Sequence, residues 1–294
     1  MSKHSCFIMG MPEAGKTTFL AALWYCLTNS SKNKFRYKRT NKNLNYLSNI
    51  CDNWAELKTI PRTKQGFEEL DITLILEDDG GKEIELTFPD LSGETFQSQY
   101  EKREMSIELA EYIKDTSCIM LFINPMSINQ TSLIAEIPVK MRQDEKTTNF
   151  LSETANEKVP LQVQLVELLQ FIQYVRSQSP VKLEILISAW DVVENSTENN
   201  KLKPEEYIKE QLPLLWQYVI ANGEFYDTLF FGISAQGGSL NTNDERQYGH
   251  SDDRNKLLEI EDPCDRVFIV DNNGKRSGDI TLPLCEIVGD MYGM

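Results

Sequence analysis

Histidine is scarce in this sequence, since only His4 and His250 occur among its 294 residues. One falls in a predicted strand and the other in a polar loop, so we expect neither a Ser–His nor a Cys–His catalytic pair. The six cysteines are scattered and include no C-x-x-C pair. This spacing argues against a zinc site and a disulfide framework, and we expect reduced thiols.

Long apolar runs are absent and basic residues are few. No stretch of about 18 apolar residues occurs, so we expect no membrane span. The first residues leave no room for a signal peptide, and we therefore expect a cytoplasmic location. Lys and Arg number 30 against 45 Asp and Glu, which gives a formal net charge of −15. Such a surface repels nucleic acid, and we expect no nucleic-acid partner.

The most specific pattern is the segment Gly10-Met11-Pro12-Glu13-Ala14-Gly15-Lys16-Thr17. It matches G-x-x-x-x-G-K-[ST] at each fixed position and lies between an apolar strand and an Ala/Leu-rich helix. In such a turn, backbone N–H groups and the helix N-terminus bind phosphates, the lysine reaches the β- and γ-phosphates, and the hydroxyl binds Mg²⁺. We therefore predict that the phosphate-binding residues are Gly10, Glu13, Ala14, Gly15, Lys16, Thr17 and Thr18.

Strand-like and helix-like segments alternate along the chain, which predicts an α/β P-loop fold: a three-layer sandwich around a mostly parallel sheet. Segments 71–77 and 83–88 flank a hairpin signal and add one antiparallel strand. We predict helices at 44–57, about 100–114, 161–176 and 204–219, with Pro213 interrupting the last, and solvated segments at 29–40 and 240–255. The domain prediction is a P-loop domain over 1–238, with an insertion at about 126–160, and a C-terminal extension over 239–294 packed on the same domain.

Three further motifs follow predicted strands at the sheet edge that also carries the phosphate loop, where ligands bind in such folds. In Asp90-Leu91-Ser92-Gly93, the carboxylate can hold Mg²⁺ through water and the glycine N–H can approach the γ-phosphate; the alternative is an ordinary strand-end turn. Asp191 can accept two hydrogen bonds from the edge of guanine, which adenine cannot offer. Backbone N–H groups of Ser234-Ala235-Gln236 can bind guanine O6.

The order of phosphate loop, hairpin, D-x-x-G, x-x-x-D and S-A-x over residues 2–238 resembles the TRAFAC class of GTPases. The phosphate-loop region, Pro61-Arg62-Thr63, the Ala-Trp-Asp motif and the closing Asp-Ile-Thr-x-Pro look like bacterial double-GTPases found in operons associated with phage or inter-microbial conflict. The resemblance implies GTP/GDP as ligand, Mg²⁺ as cofactor, a protein effector or regulator, and a homo- or hetero-oligomer.

Carried over to single residues, the resemblance implies Lys16 and Thr17 for phosphate and Mg²⁺, and Asp90 and Gly93 for Mg²⁺ and γ-phosphate sensing. It also implies that Asp191 binds guanine. Thr63 is the candidate for the switch threonine that closes on Mg²⁺, and Thr59 is the alternative.

The sequence departs from the family pattern in the base motif and near the γ-phosphate. Ser188 and Ala189 replace the usual Asn and Lys, which removes the lysine stem that packs on the base; we expect Trp190 to supply stacking surface instead. Glu94 stands where many members have a water-orienting Gln or His, and it is either catalytic or a solvated helix-start residue. Arg62 is either an internal arginine finger or a surface arginine. The catalytic candidates are thus Glu94, Arg62 and Lys16.

These residues favour a GTPase switch with slow, Mg²⁺-dependent hydrolysis. The carboxylate at Glu94 and the altered base motif leave open a nucleotide-binding scaffold that hydrolyses little. An ATPase or small-molecule kinase is the third hypothesis, and Asp191 argues against it.

Overall fold

The computed structural model describes residues 2–40, 44–60, 71–81, 83–89, 93–128, 159–176, 180–199, 201–240 and 253–289. The strands are, in chain order, β1 Ser2–Met9, β2 Phe35–Thr40, β3 Asp71–Asp78, β4 Glu83–Pro89, β5 Cys118–Ile123, β6 Val181–Ile187, β7 Tyr226–Ser234, β8 Phe268–Val270 and β9 Arg276–Ser277. They form one sheet in the order β2-β3-β4-β1-β5-β6-β7-β8-β9.

The centre of the sheet is parallel and its two edges are antiparallel. β4, β1, β5, β6 and β7 run in one direction, while β2, β3, β8 and β9 pair antiparallel with their neighbours. The mostly parallel sheet and the hairpin of β3 and β4 are confirmed. β8 and β9 have no counterpart in the sequence prediction, because strands of three and two residues are too short to show a period.

Helices cover both faces of the sheet. They are α1 Lys16–Asn29, α2 Leu44–Ala55, α3 Gly93–Lys102, α4 Ile107–Asp115, α5 Leu161–Val175, α6 Trp190–Asn195, α7 Pro204–Gln211, α8 Pro213–Ala221, α9 Asp253–Leu258 and α10 Leu282–Gly289. Side chains of α1, α2 and α10 join one apolar core, and those of α3, α4, α5, α7 and α8 join the other. Successive residues of β5 alternate between the two cores, so this central strand is apolar throughout.

The basic segment 29–40 is not simply a solvated surface segment, as the sequence predicts, because its second half is strand β2. Phe35 is buried, whereas the basic side chains of β2 are exposed. Lys38 forms ion pairs with Glu77 and Glu83 of the adjacent hairpin, 3.2 and 2.9 Å away. Pairing with acidic strands distant in sequence therefore gives this segment its place in the sheet.

Three sequence predictions concern the positions at which helices begin, end or are interrupted. The single helix over about 100–114 is wrong, because α3 ends at Lys102, Arg103 adopts a left-handed backbone (φ 54°) and Ser106 caps α4. The interruption at Pro213 is confirmed, since α7 and α8 are separate helices. The polar loop predicted over 240–255 is wrong at its end, where α9 begins; residues 241–252 lie outside the described part.

The state of the cysteines and the length of the helices also bear on the expectations from sequence. All six cysteines are buried free thiols, as expected. Within the described residues, no helix is both long and apolar enough to cross a membrane. Residues 129–158, most of the predicted insertion, lie outside the described ranges.

Candidate nucleotide-binding site

The phosphate loop joins the end of β1 to α1 in a backbone conformation that requires its glycines. Gly15 has φ 92° and Gly10 has φ 154°. A Cβ at Gly10 would lie 2.7 Å from the Phe122 carbonyl oxygen, and one at Gly15 would lie 2.8 Å from Ser188 Cβ. Glu13 adopts φ 63° between them. The loop thus curves tightly against the ends of β5 and β6.

Lys16 turns inward over this loop. Its side chain is buried, and Nζ donates to the carbonyl oxygens of Gly10 at 2.8 Å and Met11 at 3.2 Å. The ammonium also lies 5.7 Å from the centre of the Phe96 ring in α3. The N-cap of α1 is Gly15, which has no side chain to bond the first turn, so the helix presents its backbone N–H groups and dipole beside the positive charge of Lys16. This arrangement is suited to phosphate.

Neighbouring strand ends hold the loop in place. Asn124 follows β5, and its Nδ2 donates to the Glu13 carbonyl oxygen at 2.9 Å. Ser188 follows β6, is buried, and donates through Oγ to the Ile123 carbonyl oxygen at 3.3 Å. The serine that replaces the usual asparagine of the base motif therefore contacts Gly15 by packing, while Asn124 provides the hydrogen bond to the loop.

Asp191 lies in the first turn of α6 and is fixed by Ser234 at the end of β7. Ser234 Oγ donates to Asp191 Oδ1 at 2.6 Å and accepts the Gly237 N–H at 3.1 Å. Burial raises the pKa of Asp191, the bond from Ser234 lowers it in part, and the charge of Asp253 raises it further. Ala235 follows Ser234 in the chain, and its carbonyl oxygen accepts a hydrogen bond from the Trp54 indole N–H at 2.9 Å.

One cleft of about 1060 Å³ connects the phosphate loop with Asp191. Of the predicted binding residues it is lined by Glu13, Gly15, Thr18, Asp191, Ala235 and Gln236. Lys58, Thr59 and Ile60, which lead toward the predicted switch segment, form part of its wall. Gly10 and Ala14 are buried within the loop, and the Ala14 N–H donates to the Met11 carbonyl oxygen at 3.2 Å.

Trp190 does not supply the stacking surface that the sequence predicts. Its side chain is 2% exposed and packs edge-on against Tyr207, with ring centres 5.7 Å apart. A Cβ at Gly232 would lie 2.2 Å from Trp190 Cδ2, so a glycine in β7 makes room for the indole. The ring belongs to the apolar core because α6 turns this side chain toward the sheet, away from the cleft.

Glu94 does not line the cleft either. It lies in the first turn of α3 and lines a groove between α3 and α4, together with Ser98, Met105 and Leu109. Gly93 is the first residue of α3. Arg62, Thr63 and Asp90 lie outside the described residues.

Among the described residues, Thr17 is the predicted donor to Mg²⁺. Thr17 is half-buried in the first turn of α1, and its hydroxyl is a hard oxygen of the kind Mg²⁺ prefers. In the described ranges, no group of three or more His, Cys, Asp or Glu side chains is arranged to hold a metal ion.

Sequence reasoning missed three contributors to the cleft region. Trp54 in α2, and Asp253 and Lys256 in α9, belong to no motif and come from segments far from residue 191. The hydrogen bond from Asn124 to the phosphate loop likewise has no sequence signal.

A phosphate loop after the first strand of a mostly parallel α/β sheet defines the class of P-loop nucleotide-binding proteins. Within that class, the family model Double-GTPase 1 (DO-GTPase1) matches residues 7–287, and the chain belongs to this family. It is therefore a P-loop GTPase, and family membership supports GTP binding and GTP hydrolysis in general.

Solved structures show distant likenesses. The Arl6 (BBS3) small GTPase of Trypanosoma brucei with a bound GppNp analogue matches at 10% identity and TM-score 0.38, over 81% of this chain and 90% of that one. The G domain of the T. maritima FeoB iron transporter matches at 12% identity and TM-score 0.33, over 81% of this chain and 91% of that one. Roco2 RocCORdC of Methanosarcina barkeri bound to GDP matches at 15% identity and TM-score 0.28, over 90% of this chain and 51% of that one. No curated protein matches.

Proposed function

We propose that this chain is a GTP-binding molecular switch that hydrolyses GTP slowly with Mg²⁺. The observation that carries the proposal is the single cleft with Gly15 and Thr18 at one end and Asp191 and Gln236 at the other. Its ends have the two chemistries that a guanine nucleotide needs: backbone N–H groups for phosphate and a carboxylate for the base.

Guanine fits Asp191 because its N1–H and exocyclic amine both donate, whereas adenine presents an acceptor at N1. Ser234 holds one carboxylate oxygen, so the side chain has a fixed orientation before the base arrives. Backbone N–H groups of Ala235 and Gln236 would bind guanine O6. A site that orients a half-buried carboxylate in this way rejects a base that leaves it unpaired.

At the phosphate end, Lys16 would exchange its two loop carbonyl partners for β- and γ-phosphate oxygens. Thr17 would hold Mg²⁺, with Asp90 acting through water and Thr63 closing on it from the switch. When bound, Mg²⁺ neutralises charge on the β- and γ-phosphates. Gly93, at the start of α3, would report the γ-phosphate through its backbone N–H.

Slow turnover is proposed because Glu94 stands at the position where many family members have a Gln or His that orients the attacking water. Glu94 or Arg62 would then supply what catalysis the isolated chain has, and a protein effector or regulator would supply the rest. The proposed domain is 1–238, with 239–294 as an extension on it. From the family resemblance we further propose TRAFAC affiliation, a cytoplasmic location, assembly into an oligomer, and a role in bacterial antiviral defence or conflict.

A nucleotide-binding scaffold with little hydrolysis is the second candidate. The position of Glu94 in the groove between α3 and α4 favours it, because that groove does not include the phosphate loop. An ATPase is disfavoured by the carboxylate at Asp191.

Replacing Lys16 tests the shared core of both candidates. Lys16→Ala should weaken GTP and GDP binding at least tenfold, about 1.4 kcal/mol, in calorimetric titrations. Lys114→Ala, an exposed lysine of α4, is the control and should bind as the wild type does. Unchanged affinity in Lys16→Ala would overturn the nucleotide site. If the wild type binds GTP but shows no single-turnover hydrolysis, the scaffold candidate replaces the switch.

A further inference from the structure

The base motif of this chain lacks a side chain to cover the purine ring. Ala189 stands where the family pattern has lysine, and it lines the cleft with φ 47°. Its methyl group is too small to cover a ring. Trp190, the next residue, is buried in the core. Within the segment 188–190, no long side chain therefore lies along the cleft.

Helix α9 of the C-terminal segment reaches the same end of the cleft. Leu257 is buried, and a Cβ at Gly237 would lie 3.0 Å from its Cδ2. Asp253 is nearly as close, since a Cβ at Gly238 would lie 3.3 Å from its Cβ. The Ser239 N–H donates to Asp253 Oδ2 at 3.5 Å. α9 is thus packed directly on the loop that follows Ser234-Ala235-Gln236.

Lys256 lies one turn after Asp253 in α9, and both line the cleft together with Asp191 and Ala189. The Lys256 side chain is exposed and, within the described part of the chain, forms neither an ion pair nor a hydrogen bond. Its charge lies at the end of the cleft that carries two carboxylates. A lysine stem of four methylenes can cover apolar surface while the ammonium stays in water.

We propose that Lys256 takes the place of the absent base-motif lysine, with its methylene stem covering one face of the guanine ring. The inference rests on the proposed guanine site and adds to it that the C-terminal segment completes base recognition. Contact with a ring face does not depend on the number of phosphates, so it stabilises GTP and GDP complexes equally. It also does not depend on the hydrogen-bonding edge that Asp191 reads.

The test compares Lys256→Ala with Lys256→Met in titrations with GTP and with GDP. Lys256→Ala should weaken both nucleotides about tenfold, about 1.4 kcal/mol. Lys256→Met keeps most of the stem without the charge and should restore affinity to within about threefold of wild type. Lys114→Ala is again the matched control, an exposed lysine outside the cleft, and should change neither affinity.

Each contrary outcome has a distinct meaning. If the wild type binds no guanine nucleotide, the proposed function fails first. If the wild type binds and Lys256→Ala binds equally well, the inference about Lys256 is overturned while the guanine site stands. A Lys256→Met variant as weak as Lys256→Ala, or a larger loss for GTP than for GDP, would assign the effect to the ammonium and overturn the proposed contact with the ring.

Discussion

Glu184 is a carboxyl group in the middle of the parallel sheet and offers a sharp test of the structure. It lies on β6, paired with Met120 of β5 and Leu229 of β7, and is fully buried. Among the described residues, neither carboxylate oxygen has a hydrogen-bond partner. Burial raises its pKa well above the ordinary value of 4.5; nearby Lys182 lowers the pKa in part. Glu184 is therefore protonated in the folded protein at pH values where the unfolded chain is ionised.

The sign of the pH effect follows from this difference. Below pH 4.5 Glu184 carries its proton in both states, so this residue makes its full contribution to stability there. As pH rises from there toward the folded pKa, the unfolded state alone loses the proton, so wild-type stability falls by up to about 1.4 kcal/mol per pH unit. Glu184→Gln has similar size and no titration, so its advantage over wild type should grow with pH. Glu184→Met also removes two unpartnered polar atoms and should gain about 1–3 kcal/mol more.

The assay is urea unfolding without nucleotide at pH 5, 6, 7 and 8, with the free energy of unfolding extrapolated to water. Glu111→Gln, on the exposed side of α4, is the control and should follow the wild-type curve. Parallel stability curves for wild type and Glu184→Gln would show that Glu184 is ionised in the fold over this pH range, and the buried neutral carboxyl would be refuted.

The remaining predictions concern the nucleotide. Asp191→Asn should weaken GTP at least tenfold and improve xanthosine triphosphate, whose C2 oxygen suits an amide donor; titration with both nucleotides checks this, and equal wild-type affinity for ATP and GTP would contradict it. Burial raises the pKa of Asp191, so the carboxylate should become protonated, and wild-type GTP affinity should fall, as the pH falls toward the raised pKa. This pH dependence of affinity should disappear in Asp191→Asn. Glu94→Ala and Arg62→Ala should each slow single-turnover hydrolysis with little change in GTP affinity. The decrease in rate should reach about 10³-fold for Arg62→Ala. Arg62→Lys should not fully restore the rate, because lysine lacks the planar guanidinium. Unchanged rates in both alanine variants would assign catalysis to a partner or to the insertion over residues 128–158, and would favour the scaffold hypothesis.

The parts of the site that follow local rules were predictable from sequence. The phosphate loop needs glycines at fixed spacing because its backbone must turn in left-handed conformations beside other chain segments. Asp191 was found because it follows a predicted strand at the ligand-binding edge. The structure brings both to one cleft, while their roles in binding stay predictions.

The failures share a cause, which is tertiary context. Trp190 neighbours Asp191 in sequence, yet Gly232 on another strand leaves the space that directs its ring into the core. The charges of β2 indicated solvent, yet the acidic hairpin beside it provides their partners. Lys256 has no motif, and only packing of α9 against Gly237 brings it to the cleft. None of these partners lies within reach of a local pattern.

The end of the cleft that carries Asp191 is held by contacts distant from the phosphate loop. Trp54 of α2 donates to the Ala235 carbonyl, and the Arg266 guanidinium lies 5.9 Å from the Trp54 ring centre while donating to the Ala55 carbonyl oxygen at 3.2 Å. Trp54 is fully buried and Arg266 nearly so. If this end binds guanine as proposed, it would bind the base equally in GTP and GDP and could not by itself distinguish the two. Switching would then depend on differential contacts at the other end, where Lys16 and the first turn of α1 would meet the γ-phosphate.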